Sequence, residues 1–174
     1  MPINNKRLGC TVFGAIGTAL VKPCISIEKS TNKEAFLTFL KLMKRNLRDP
    51  NSKELVYLVM DNHKSHKSCL CREFLEENFV PVWLPSGTPQ FNSIESLWSP
   101  FKQQMKKVLL DAPMQNKTQV EFEDIVRKVA TKVAVDHSFN MLRANRRYIY
   151  QRLSLVWRTK LRSRPRSSPW NAWL

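Results

Sequence analysis

The sequence has no apolar run near the roughly 18 residues that a membrane-spanning helix requires. Its N-terminus has no charged stretch followed by an apolar stretch and a small-residue cleavage site. A soluble, intracellular protein that is not secreted is the expectation. The four cysteines, Cys10, Cys24, Cys69 and Cys71, include no C-x-x-C pair, and without a secretory signal they read as reduced thiols. No internal repeat is present. Negative charge is scarce: 14 Asp and Glu face 29 Lys and Arg, a net charge of +15, and no acidic residue follows Asp136. Such an excess opposes compaction by self-repulsion and calls for a polyanionic partner. Nucleic acid is the first expectation, DNA before RNA. An anionic membrane surface or a ribonucleoprotein assembly would also satisfy the charge.

What is present is an ordinary hydrophobic fraction, 43%, in 174 residues, enough for one domain with its own core and a tail. Leu8 to Gly17 reads as a buried strand, and Pro23 to Glu28 as a second strand paired with it in a hairpin. Ser30 or Thr31 can cap a helix running from Glu34 to Leu47, where Phe36, Leu37, Phe39, Leu40 and Met43 recur at helical spacing. Glu54 to Met60 is a nearly continuous apolar run, the pattern of a central strand buried on both faces. A helix over about 67–78, a strand from Phe79 to Leu84 and a Pro-bounded loop follow. A long helix then spans about Asn92 to Leu110, with Ile94, Leu97, Trp98, Phe101 and Met105 on one face. Two further helices are expected, about Val120–Val135 and Phe139–Trp157, before a basic tail. This alternation predicts an α/β sheet covered by helices. It divides the chain into a core over 1–112, a helical extension over 113–157 and a tail over 158–174.

Two carboxylates stand where a carboxylate needs a reason. Asp61 follows the apolar run at the C-terminal end of its strand, the edge where ligands collect in open α/β sheets. Glu95 lies one turn into the long helix, directly after the Pro-bounded loop. Each also has a plain reading: Asp-Asn commonly ends a strand and starts a turn, and a Glu in a first turn complements the helix dipole.

The surrounding residues favour the functional reading. Asp61-Asn62-His63-Lys64-Ser65-His66 resembles the D-N-x-x-x-H segment of the Tc1/mariner and bacterial IS630-type transposases. Residues 84–98, from Leu84-Pro85 through Asn92-Ser93-Ile94-Glu95 to Trp98, resemble their L-P-x-x-S-P-x-L-N-P-I-E-x-x-W segment. Lys102 matches a basic residue that often follows. Thr88 and Ser93 stand where the family has Ser and Pro. The resemblance spans roughly Leu8 to Leu110.

It implies an RNase H-like (retroviral-integrase-like) fold, a mixed sheet flanked by helices. It also implies metal-dependent phosphoryl transfer on DNA, with strand cleavage and strand transfer. Mg²⁺ or Mn²⁺ would be the cofactor, two ions about 3.5–4 Å apart clamping the attacking and leaving oxygens. Asp61 and Glu95 would be catalytic metal ligands. The family's first Asp, at the end of a preceding strand, would bridge both ions. Here the first strand of the chain matches the family's second, so a chain truncated at its N-terminus is the expectation. Of the acidic residues before Asp61, Glu28 ends a strand but in the wrong position to replace it. A fragment, a homodimer or second chain completing the sheet, and a domesticated remnant that binds nucleic acid or serves as a structural subunit all remain open. The family's helix-turn-helix DNA-reading domain has no counterpart in these residues. A transposase relative would act in the nucleus.

The basic residues form two groups. Lys102, Lys106 and Lys107 lie on the helix of Glu95, as a DNA-facing or merely solvated face. Arg143, Arg146, Arg147, Arg162 and Arg164 belong to an acid-free stretch interleaved with Tyr and Trp, suited to phosphate contact and base stacking. A localisation or protein-docking segment would look the same. His63, Lys64 and His66 are further candidates for nucleic-acid contact. His63, His66, Cys69 and Cys71 include only zinc-ligand residue types, but H-x-x-H-x-x-C-x-C is no standard finger. The plainer expectation is that one cysteine packs in the core and His66 positions the loop after Asp61.

Overall fold

The computed structural model describes the backbone of residues 8–51, 54–111 and 117–162, and the side chains of these apart from residues 145 and 148–162. Two strands open it, β1 (Thr11–Ala15) and β2 (Cys24–Glu28), joined as the expected antiparallel hairpin with Val12 opposite Ile27 and Gly14 opposite Ile25. The alternation of a strand sends these residues to one face and Phe13, Ala15 and Cys24 to the other. Both faces are covered. Phe13, Ala15 and Cys24 meet Phe36, Phe39, Leu40 and Met43 of helix α1 (Lys33–Arg45). Val12, Ile25 and Ile27 meet Leu97 and Met105 of helix α3 (Glu95–Asp111) and Val126, Val129 and Val133 of helix α4 (Gln119–Arg162). The hairpin is thus the middle layer of a helix–sheet–helix sandwich.

Asn32, not Ser30 or Thr31, caps α1, its side chain accepting from the Ala35 amide at 2.8 Å. Asn32 lies three residues before Ala35, the spacing a capping side chain needs. Glu34 in the first turn and Lys44 and Arg45 in the last complement the helix dipole.

Strand β3 (Tyr57–Met60) runs parallel to β4 (Val80–Trp83), with helix α2 (Cys69–Asn78) as the crossover. The apolar run in β3 does not mark a strand buried on both faces. Leu58 and Met60 join the α1 side of the core, but Tyr57 is 64% and Val59 44% exposed. The expected single mixed sheet is, among the described residues, two separate two-stranded sheets, one antiparallel and one parallel. The two helices expected after residue 119 are one. Asp136, His137 and Ser138 are weak helix formers, but no Pro or Gly lies between Gln119 and Arg162, so nothing breaks the hydrogen-bond ladder. At 1.5 Å per residue its 44 residues span about 66 Å. Thr118 and Glu121 form a capping box at its start: Thr118 N donates to Glu121 Oε2 at 2.7 Å, and Glu121 N to Thr118 Oγ1 at 3.3 Å.

Candidate functional site

The site lies where β3 ends and α3 begins. Asp61 Oδ1 accepts from the His63 amide at 3.1 Å, a turn-forming bond of the kind expected of Asp-Asn. The same oxygen lies 2.9 Å from His66 Nδ1, close but too poorly aligned for a hydrogen bond. His66 stacks on Phe36 of α1 with ring centroids 4.0 Å apart, so the histidine wedges the Asp61 loop against the core. His66 is mostly buried, whereas Asp61 is 55% exposed. Asn62 donates its side-chain amide to the Leu84 carbonyl, and Leu84 N donates to Met60 O at 2.9 Å. The end of β3 is therefore fastened to the end of β4, directly before the second motif.

That motif is a loop built to start a helix. Gly87 sits at φ 75°, a conformation that glycine adopts without steric cost. Thr88 Oγ1 donates to Pro85 O at 2.6 Å, and a 3-10 turn over Pro89–Phe91 leads on to Asn92, whose carbonyl accepts from Glu95 N at 3.1 Å. Ile94 and Trp98, one helical turn apart, then lie against Gly14 of β1. A Cβ at residue 14 would come within 3.2 Å of both. Glycine there lets α3 approach the strand, and the Ile-Glu-x-x-Trp spacing fixes Glu95 between its two anchors.

Asp61, Glu95, His63 and His66 line one cavity of about 410 Å³ with Phe36, Trp98 and the edges of β1 and β3. Among the described residues, Asp61 and Glu95 are its only acidic lining residues. Burial raises the Glu95 carboxyl above its ordinary pKa, the negative charge of Asp61 raises it further, and Lys102 pulls the other way. Burial holds His66 below the ordinary imidazole value, with His63 acting in the same direction and Asp61 opposing. Asp61 and Glu95 together offer hard oxygen ligands to a divalent cation, whose charge would offset the effect of Asp61 on Glu95. They are a pair only: among the described residues no group of three His, Cys, Asp or Glu is placed to hold a metal ion.

Glu28 is not a third member. It accepts from Ser26 Oγ at 2.6 Å and lines a separate depression with Asn32, Glu34 and Glu123. The zinc arrangement does not form either. The Cys71 side chain is fully buried and its thiol donates to the Lys33 carbonyl at 3.3 Å, while Cys69 is exposed and bonded to Glu73 at 3.2 Å. Lys64, Lys102, Lys106, Lys107, Arg143, Arg146 and Arg147 are all exposed. Of these, only Lys102 acts electrostatically on Glu95. Leu142, beside Arg143, lines the cavity, so this part of α4 passes its rim. The side chain of Arg162, all of Arg164 and the tail over 163–174 lie outside the described residues. Sequence reasoning missed Gly14, Phe36 and Leu142 as parts of the site. Each comes from an element remote in sequence from both motifs, and nothing local marks it.

A family model described as DDE superfamily endonuclease matches residues 3–119, about two-thirds of the sequence. The chain belongs to this superfamily. Searches of curated proteins and of solved structures returned no match.

Proposed function

We propose that this DDE superfamily chain is the catalytic part of a Tc1/mariner-like transposase of RNase H-like fold, acting on DNA phosphodiester bonds in the nucleus. The observation that carries the reading is the shared cavity: Asp61, at the end of a parallel strand, and Glu95, at the start of a helix, face one space and oppose each other's charge. In this reading Asp61 and Glu95 would hold Mg²⁺ or Mn²⁺, which supplies charge neutralisation at a phosphate and an activated water or hydroxyl. The protein's own contribution is positioning. His66 and Asn62 fix the turn that presents Asp61, and Ile94 and Trp98 fix the turn that presents Glu95. Lys102 on α3 and Arg143, Arg146 and Arg147 on α4 would steer the DNA backbone toward the rim by charge. His63, Lys64, Lys106 and Lys107 would add phosphate contacts, and Arg162 and Arg164 would extend the basic track.

A second reading is favoured by the absence of a third metal-ligating group among the described residues: a module that binds nucleic acid without cutting it. Nicking of supercoiled DNA with Mg²⁺ or Mn²⁺, beside the Glu95→Gln variant, separates the two. Nicking lost in the variant supports the nuclease. Equal nicking by both contradicts the assignment of Glu95. No nicking by either, with tight binding that salt weakens steeply, supports the binding module.

A further inference from the structure

The cavity beside Asp61 and Glu95 differs in chemistry from the rest of the molecule. The chain carries 29 Lys and Arg, yet among the described residues none of them lines this cavity. Lys102 acts on Glu95 from outside it. The walls are instead aromatic and aliphatic. Tyr57 and Val59 contribute from β3 and are 64% and 44% exposed, while Phe91 and Trp98, from the turn and helix around Glu95, are half-buried. Apolar surface facing water inside a concavity of about 410 Å³ is the usual make-up of a small-molecule pocket. Its two carboxylates narrow the choice of ligand. An anion would meet Asp61 and Glu95 with no cation between them. A hydrated divalent ion would satisfy the carboxylates but keep several waters and leave the apolar walls wet. A neutral apolar molecule would cover the walls and leave the carboxylates unpaired.

We infer that this cavity binds a small organic cation, an ammonium or amidinium group on a flat apolar body. The charged group meets Asp61 and Glu95, and the body lies against Tyr57, Val59 and Trp98. Each part of the ligand answers one part of the cavity. Its N–H groups donate charge-assisted hydrogen bonds to the carboxylate oxygens. The ring faces of Tyr57 and Trp98 attract a cation held close to them. Its apolar body removes the exposed wall of β3 from water. The low-dielectric walls weaken the screening of the attraction, which an exposed pair on the basic surface would suffer in full. Such a ligand takes the same oxygens as a divalent ion, so the two exclude each other, and the cation would inhibit metal-dependent chemistry at this site. The inference needs the two carboxylates and the walls, and it stands apart from the nuclease reading.

The test uses the full chain, freed of metal by a chelator, and three probes with one ring system: naphthylmethylamine, the neutral naphthylmethanol and the anionic naphthoate. Calorimetry gives the affinities, and amide shifts of isotope-labelled protein give the place of binding. The expected result is that the amine binds about tenfold or more tighter than the alcohol, with shifts centred on Gly14, Val59, Asp61 and Glu95. Asp61→Asn combined with Glu95→Gln, which keeps both shapes, should bring the amine down to the level of the alcohol. Tyr57→Ala, at an exposed position, should weaken amine and alcohol alike. Equal binding of amine and alcohol, a preference for naphthoate, or amine affinity unchanged in the paired variant overturns the inference. So do shifts centred on Glu28 and Glu123, which line the other depression. Mn²⁺ is then added to the amine complex. Displacement of the amine supports both the inference and the metal reading, and an amine that stays bound while Mn²⁺ occupies Asp61 and Glu95 overturns the inference. Amine binding without any Mn²⁺ binding leaves the inference in place and removes the metal reading, whereas Mn²⁺ binding without amine binding does the reverse.

Discussion

Asp61 and Glu95 face each other's charge across one cavity, and much of the site's behaviour is decided between these two side chains and His66. Because the charge of Asp61 raises the Glu95 pKa, Asp61→Asn is expected to move the Glu95 titration back toward ordinary carboxylate values, as read from its side-chain carboxyl carbon by NMR. An unchanged titration would mean that burial alone holds Glu95. His66 gives a second test at this scale. Its folded pKa lies below its ordinary 6.5, so the unfolded chain binds the proton more tightly than the folded one. Its contribution to stability is complete above about pH 6.5. It is lost as pH falls toward and through the lowered folded value. His66→Phe, which keeps the stack on Phe36, should flatten this part of the stability–pH curve in denaturant titrations at several pH values. A curve unchanged by the substitution would assign the effect to other groups.

The elements explain why these side chains are where they are. Helix α3 is set by Ile94 and Trp98 against Gly14, where a Cβ already meets both at 3.2 Å. Gly14→Val should overpack this contact, cost about 1–3 kcal/mol in chemical denaturation and shift the Trp98 emission. A neutral effect on both readouts would mean that the helix is held elsewhere. At the start of α4, Thr118→Ala removes half of a capping box and should cost about 1 kcal/mol. Both motifs were legible in the sequence because turn chemistry is local: Asp-Asn after an apolar run, and Pro, Gly and Asn before an Ile-Glu-x-x-Trp helix. The hairpin was legible for the same reason. The exposure of Tyr57 and Val59 was not, since an apolar run looks alike whether both faces or one are covered. The single helix over 119–162 was misread as two because three polar residues in succession, Asp136 to Ser138, resemble a break when tertiary context is unknown. Gly14 carries no local mark at all, because its reason is a helix 80 residues further on.

For the whole molecule, the decisive quantity is its charge. On the proposed function, a net charge of +15 predicts nucleic-acid affinity that falls steeply with salt. Arg143→Ala, Arg146→Ala and Arg147→Ala together should reduce the slope of log affinity against log salt by about 2–3 on duplex DNA, if each neutralises one phosphate. An unchanged slope would place the DNA elsewhere. The central claim, that Asp61 and Glu95 form one divalent-cation site, is tested most directly by titrating Mn²⁺ into isotope-labelled protein and following paramagnetic line broadening. Broadening centred on the amides of Asp61, Asn62, Ile94 and Glu95, and lost in both Asp61→Asn and Glu95→Gln, is the predicted result. Broadening that persists in both variants, or that centres on other acidic residues such as Glu28 and Glu123, would contradict it.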